Sequence, residues 1–383
     1  MTSARSPLVL LAAVMILASL TAGSGLVRGA TTFDSQKETF RVVIVVGRLE
    51  RPWSLAFLPG GDLLVTERPG RLRIVHDGKL DPEPVSGVPE VVAYGQGGLL
   101  DVALHPRYSE NGLVYLSYVT GGDGGIGTDV MRGRLRGHRL EDVQVIFRML
   151  PKTGKDHHFG SRFLFDRRGY LYVTLGERGE RDHAQRLDDH LGKIVRLHDD
   201  GRVPDDNPFR GRSGARPEIF TYGHRNPQGI ALHPQTGVIW AHEHGPQGGD
   251  EVNVIRAGAN YGWPVVTYGR EYETGKPIGE GTQKAGMEPP IHYWVPVSIA
   301  PSGMTFYDGD AFPRWKGSLF IGALRGEMLV RLELDGEKVV REERLLQGAL
   351  GRIRDVRSGP DGRLYLLTDS QRGLLVRLDP VEP

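Results

Sequence analysis

One phrase occurs six times in this chain: a short alternating strand, a turn holding Pro, Asp or Gly, and a second strand rich in β-branched and aromatic residues. The copies begin at Ser54, Asp101, Arg162, Gly229, Gly303 and Asp355, at intervals of roughly 47 to 74 residues. A repeated supersecondary unit limits the fold strongly, because each copy needs its neighbours to cover its apolar faces. Six copies, each with room for about four strands, predict an all-β, six-bladed β-propeller. A β-sandwich with six similar hairpins is the competing reading, and the ordered recurrence speaks against it. Glycine agrees with the propeller. There are 53 glycines and 25 prolines among 383 residues, which reads as many tight turns between short strands. We expect one domain over residues 33–380, with long loops, where sites are usually built, inserted mainly after blades 3 and 4, around 180–215 and 242–300.

The first 30 residues differ in kind. Arg5 precedes an apolar run from Leu8 to Leu20, followed by Ala22, Gly23, Ser24 and Gly25. This is the pattern of a secretory signal peptide, cut somewhere within 22–30, and it implies a periplasmic or secreted protein. The run is short for a bilayer span, so a retained anchor is the weaker reading. No stable membrane span is expected in the mature form. The 48 Lys+Arg nearly balance the 47 Asp+Glu, which argues against a broad nucleic-acid-binding face. There is no cysteine, so disulfides, thiolate metal sites and cysteine nucleophiles are excluded.

Four clusters carry residues able to do chemistry. Asp156-His-His-Phe-Gly-Ser-Arg162 precedes the third copy, so its side chains should lie at a blade rim or the central channel. A histidine there suits a general base, with an ordinary pKa near 6.5. His157 reads as loop packing and His158 as the functional member. Tyr222-Gly-His-Arg-Asn-Pro-Gln-Gly229 offers Arg225, able to fork onto a carboxylate or phosphate, and Asn226 beside it. His242-Glu-His-Gly-Pro-Gln-Gly-Gly-Asp-Glu-Val-Asn253, with Asn260-Tyr-Gly-Trp263 behind it, sets acids and amides among glycines, which suits a calcium ion (Ca2+) or simply a glycine-rich turn. His242 and His244 are a weak zinc pair without a clear third ligand. Arg325, Arg352 and Arg354 complete, with Arg225, a set of four guanidiniums that the blade layout brings to one face; such convergence calls for a polyanion.

Together these motifs resemble the soluble PQQ-dependent aldose sugar dehydrogenases of the glucose/sorbosone dehydrogenase family. The carrying residues are Arg51-Pro-Trp-Ser54, Gly95-Gln-Gly-Gly-Leu-Leu-Asp101, His158-Phe-Gly-Ser-Arg162, Gly223-His-Arg-Asn-Pro-Gln-Gly229, Glu243-His-Gly-Pro246 with Gly249-Asp-Glu251, Asn260-Tyr-Gly-Trp263 and Arg352-Ile-Arg-Asp355. The similarity runs from about residue 40 to 380. It implies a six-bladed propeller with pyrroloquinoline quinone (PQQ) over the central channel. It implies that His158 takes the proton from the C1 hydroxyl of an aldose while hydride passes to C5 of the quinone, giving an aldonolactone. It further implies that Gln96, Arg225, Asn226, Tyr272, Arg325, Arg352 and Arg354 line the cofactor. The carbonyls of Gly245 and Pro246 would hold a calcium that polarises the quinone, and Glu251 and Tyr261 match positions of a second calcium. The chemistry agrees: three PQQ carboxylates suit the arginines, and a cation beside the carbonyl makes it a better hydride acceptor.

Two departures from the family pattern stand out. Ser161 replaces a glycine, which crowds the backbone if that position needs positive φ. Arg325 replaces a lysine, keeping charge while changing shape. Two other function classes compete: a calcium-dependent propeller lactonase, needing carboxylates and amides converging on calcium in the channel, and a non-catalytic binding propeller. The aldose, the electron acceptor and the choice between monomer and homodimer are not encoded in any motif. N-terminal sequencing of the exported protein is expected to find a start between residues 23 and 31; an intact N-terminus on exported protein would overturn the cleaved leader.

Overall fold

The computed structural model describes residues 31–381, and the signal-peptide expectation falls on residues 1–30, outside them. The described residues form six antiparallel sheets in sequence order, five of four strands and one of five. Blade 1 holds Pro52–Phe57, Leu63–Glu67, Arg71–His76 and Lys79–Leu80; blade 2 holds Leu99–Leu104, Leu113–Gly122, Gly125–Arg136 and Arg139–Arg148. Blade 3 follows with Phe163–Phe165, Leu171–Leu175, Lys193–Leu197 and Ile219–Tyr222, and blade 4 with Pro227–Leu232, Ile239–Glu243, Asp250–Ile255 and His292–Trp294. Blade 5 comprises Pro301–Phe306, Leu319–Ala323, Met328–Asp335 and Lys338–Leu345. The first strand of each blade contacts the first strand of the next, and blade 6 contacts blade 1, so the ring is closed. The six-bladed propeller read from the repeats is the fold, and each repeated phrase is the inner strand pair of one blade.

Blade 6 is built from both ends of the described chain. Ile353–Ser358, Leu364–Thr368 and Gly373–Pro380 are extended by Thr39–Leu49, which pairs along Gly373–Pro380, and then by Thr32–Asp34. The closing strand belongs to none of the repeated phrases, so the repeat pattern does not reveal it. The long insertions lie inside blades 3 and 4 rather than after them, as the segments joining Leu171–Leu175 to Lys193–Leu197, Lys193–Leu197 to Ile219–Tyr222, and Asp250–Ile255 to His292–Trp294.

The core is a ring of six apolar layers, one between each pair of neighbouring blades. Between blades 1 and 2, for example, Leu64, Leu72, Val102, Val114 and Leu116 pack together. Each second strand is therefore covered on both faces, and Leu63–Glu67, Leu171–Leu175 and Leu364–Thr368 are buried throughout. That is why their apolar character runs nearly unbroken instead of alternating with polar residues.

Polar residues fill the axis. The opening residues of five copies meet there or nearby. Arg162 of blade 3 lies 3.0 Å from Asp355 Oδ1 of blade 6 and 3.5 Å from Asp101 Oδ1 of blade 2. Arg357 reaches the same two carboxylates at 2.9 Å each, and Ser54 Oγ of blade 1 donates to Asp101. Gly303 of blade 5 makes room for this cluster, since a Cβ there would lie 2.0 Å from Asp355 Oδ1. Arg162 also stacks on Trp53, with its Cζ 3.9 Å from the ring centroid. Asp101→Asn keeps the shape but leaves the buried Arg162 and the partly buried Arg357 to share one carboxylate. It is expected to lower unfolding free energy by about 3–5 kcal/mol in a denaturant titration; a change below about 1 kcal/mol would show that the axis is not held by charge.

Candidate active site

Because first and second strands pair antiparallel, every blade presents the start of its first strand and the end of its second on the same face. Over the axis on that face lies a cleft of about 240 Å3, lined by Trp53, Arg68, Gln96, His244, Arg352 and Arg354 among others. Its floor is the charge cluster of the axis, since Arg162 Nη2 donates to the Arg354 carbonyl at 2.9 Å and Nε to the Gln228 carbonyl at 3.0 Å.

His158 stands beside this cleft on the loop entering blade 3. Its backbone N–H donates to Gln96 Oε1 at 2.9 Å, and its Nδ1 lies 2.9 Å from Glu177 Oε1. The hydrogen bond from His158 and the charge of Arg225 overcome the burial that opposes ionisation of Glu177, so its pKa is lowered and it stays a carboxylate. A carboxylate only accepts, which places the histidine proton on Nδ1 and leaves Nε2 as an acceptor. Burial, then the Arg225 charge, push the imidazole pKa down to about 4 against the pull of Glu177. At neutral pH His158 is an uncharged base with a fixed tautomer.

The guanidiniums divide into two groups. Arg352 and Arg354 share Asp369 at 2.9 and 2.8 Å, and Arg68 donates to the Gly95 carbonyl at 2.8 Å. Burial opposes the charge of Asp369, but the two arginines prevail and hold its pKa at about 2. On the other side Arg225 donates to the carbonyls of His244 at 3.1 Å and Gly245 at 2.7 Å, while its backbone N–H bonds Glu243. Glu243 is in turn bonded by His224 Nδ1 at 2.8 Å. Asn226 Oδ1 accepts from the Gly160 N–H at 3.1 Å. Four buried donors remain without a partner among the described residues: Arg68 Nε, Arg225 Nε, Arg354 Nε and Asn226 Nδ2. Arg68 and Arg354 line the cleft, and Asn226 is bonded to the cleft-lining Gly160, so the cleft wall is rich in cationic and amide donors, which suits a ligand rich in acceptors and negative charge.

The other expected residues are more dispersed. Arg325 is exposed, anchored by its backbone N–H to the Ile299 carbonyl at 3.0 Å, next to the cleft-lining Leu324. Tyr272 is 61% exposed on a loop held by the Arg181–Glu271 ion pair at 2.7 Å. Glu251 and Tyr261 line a separate cavity of about 350 Å3. Burial and the nearby Glu243 push the Glu251 carboxyl well above its usual range. Asp250 is not free for a metal: it accepts from Gly245, Ser298, Ile299 and Ala300. His244 Nε2 is bonded to the Pro301 carbonyl at 2.6 Å. No group of three His, Asp or Glu side chains able to hold a metal occurs among the described residues, which removes the zinc pair. The two axial carboxylates, Asp101 and Asp355, are both paired with arginines.

Ser161 does occupy a positive-φ position, at +82°. It is fully buried, with its hydroxyl 3.0 Å from Thr128 Oγ1 and 3.1 Å from the Phe159 carbonyl. Those bonds offset the strain that a glycine would avoid. Glu177, Arg68 and Trp53 join the site without having stood out as candidates in the sequence. A positional signal exists for the first two: Arg68, Glu177, His244, Arg325 and Asp369 all lie one or two residues beyond the second strand of their blade.

Residues 49–377 match the family model described as Glucose / Sorbosone dehydrogenase. The chain is 48% identical over 347 residues to aldose sugar dehydrogenase YliI of Escherichia coli (strain K12), covering 89% of this chain and 93% of that protein. It superposes on a crystal structure of a glucose dehydrogenase with a TM-score of 0.85 and 54% identity, over 88% of this chain and 98% of the other. A PQQ-bound aldose sugar dehydrogenase from Streptomyces coelicolor superposes with a TM-score of 0.72 and 30% identity, over 89% and 98% of the two chains.

The buried His190 and the largely enclosed His158 set an acid limit on stability. The pKa of His158 is lowered to about 4, and that of His190 is lowered by burial against the pull of Glu218. An unfolded histidine titrates near 6.5. Below that pH the unfolded chain takes up protons that the folded chain refuses, so stability falls as pH drops. The urea midpoint is expected to decrease from pH 7.5 to pH 5; a flat or rising midpoint would contradict neutral burial of these rings.

Proposed function

The chain belongs to the glucose/sorbosone dehydrogenase family, and from that premise we propose that it is a PQQ-dependent oxidoreductase converting aldose sugars at C1 to aldonolactones. The observation that carries this reading is His158: an uncharged base, its Nδ1 proton fixed on Glu177, beside a cleft lined by Arg68, Arg352 and Arg354. PQQ, when bound, supplies the acceptor for two electrons and the C1 hydrogen. Its carboxylates suit Arg225, Arg352 and Arg354, with Arg68 added to the expected set, and its polar edge suits Gln96 and Asn226. Arg325 and Tyr272 would close the rim.

His158 Nε2 takes the proton of the C1 hydroxyl, and Glu177 stabilises the imidazolium that forms. The hydrogen bond between His158 N–H and Gln96 keeps the ring at the cleft. Holding the sugar hydroxyl against a fixed base supplies orientation that solution lacks.

Calcium is part of the reading through the carbonyls of Gly245 and Pro246. The Gly245 carbonyl accepts from Arg225, so a cation there requires that guanidinium to turn toward the cleft. For a second calcium, the partly buried and poorly compensated Glu251 carboxyl, lining one cavity with Tyr261, is the supporting feature. The leader pattern over residues 1–30 supports a periplasmic or secreted enzyme passing electrons to an external acceptor. No helix among the described residues is long and apolar enough to cross a membrane.

His158→Gln should lower kcat by at least about 10²-fold while PQQ still binds, measured by quenching of tryptophan fluorescence, because removal of a general base typically loses 10²–10⁴. Retention of activity with bound PQQ would remove His158 as the base.

A further inference from the structure

The loop carrying His158 is gripped by two consecutive buried residues. Glu177 bonds the His158 ring, as described. Arg178, the next residue, is fully buried and lays its guanidinium over the Phe159 ring, with Cζ 3.4 Å from the centroid. One branch of its fork donates to the His157 carbonyl and the other to the Lys155 carbonyl. No carboxylate pairs with it within 4.0 Å among the described residues, and its Nε has no partner. Burial lowers its pKa only to about 10, so it carries its charge at neutral pH. Glu177 and Asp156 attract its charge only from beyond contact distance, so burying this guanidinium is costly, and an apolar residue would fill the space more simply.

The backbone explains what the arginine does there. His158 has φ of +56°, Ser161 of +82° and Arg178 itself of +61°. Non-glycine residues in the left-handed region persist only where their surroundings over-determine them. At His158 the ring is fixed by Glu177 and the N–H by Gln96, while the two carbonyls upstream are fixed by Arg178.

We propose that Arg178 is a positioning residue for the reaction: by holding the Lys155 and His157 carbonyls it keeps His158 in its left-handed backbone conformation with Nδ1 on Glu177 and Nε2 toward the cleft. Glu177 and Arg178 act as one clamp, the first on the ring and the second on the backbone. The inference rests on the reading of His158 as the base.

The test compares wild type, Arg178→Met and Arg178→Lys, using the full mature chain. In cofactor-free protein labelled with 15N-histidine, His158 signals are assigned by comparison with His158→Gln. Wild type should show a single Nδ1–H tautomer, and Arg178→Met a mixture. After loading with PQQ and calcium, kcat for an aldose should fall on the order of 10–100-fold in Arg178→Met, the range set by a misplacement of about 1 Å. KM should stay within about threefold, since the sugar contacts are untouched. Lysine keeps the charge but cannot fork across both carbonyls, so Arg178→Lys should fall between the two. A wild-type tautomer and wild-type kcat in both variants would overturn the proposal. If Arg178→Met does not fold, Arg178→Lys decides alone: a lowered kcat at an unchanged melting temperature supports the clamp, and wild-type values overturn it. Absence of sugar oxidation by the wild type would strike the base assignment and leave the tautomer measurement to decide the clamp.

Discussion

Two arginines and two aspartates at the axis hold the ring together. Arg162, Arg357, Asp101 and Asp355 come from blades 2, 3 and 6, and Ser54 joins them from blade 1. The six apolar layers fasten each blade to its neighbours, whereas this cluster links blades across the centre. Arg162 alone touches carboxylates of blades 2 and 6, the Trp53 ring of blade 1 and the Gln228 carbonyl of blade 4. Buried charges of this kind are tolerable only when fully paired. This pairing fixes where the first strands begin, and the cleft is made of those beginnings together with the ends of the second strands paired to them. His158 lies four residues before Arg162 in the chain, and the Arg354 carbonyl is bonded directly to Arg162.

The site then follows from charges held apart. Arg225 disfavours protonation of His158, while Glu177 secures its tautomer. Arg352 and Arg354 are partly satisfied by Asp369, which keeps them in place without using every donor. The result is a cleft with spare donors on one side and a neutral base on the other, the separation of roles that acid–base chemistry at neutral pH needs.

Much of this arrangement is legible in the amino-acid sequence. The first residues of the six phrases, Ser54, Asp101, Arg162, Gly229, Gly303 and Asp355, mark the inner strands because the repeat preserves the environment at the axis. The closing strand Thr39–Leu49 is not legible, since it pairs with Gly373–Pro380 across the whole length of the chain and carries no local turn signal. The insertions are expected after blades 3 and 4 but lie within them, because the phrase marks only the inner half of a blade. Motifs single out His158, Arg225, Asn226, Arg352 and Arg354 as candidates, and the structure sets Arg352 and Arg354 in the cleft wall with His158 beside it. Glu177 and Arg68 escape notice, because each stands alone after a strand and resembles a solvated surface charge until its position just beyond the second strand of a blade is compared across the repeats. Arg325 and Tyr272 fall at the exposed rim, where loop shape rather than residue type decides position.

Whether this cleft turns over a sugar with PQQ decides between the dehydrogenase and its rivals. The direct measurement is reconstitution: purified cofactor-free protein is given PQQ and calcium, and dye reduction is followed across a panel of aldoses, with NAD and calcium-free samples as controls. Sugar-dependent reduction that requires PQQ and calcium, and none with NAD, is the predicted result. Failure of the protein to bind PQQ at all would contradict a PQQ-dependent enzyme.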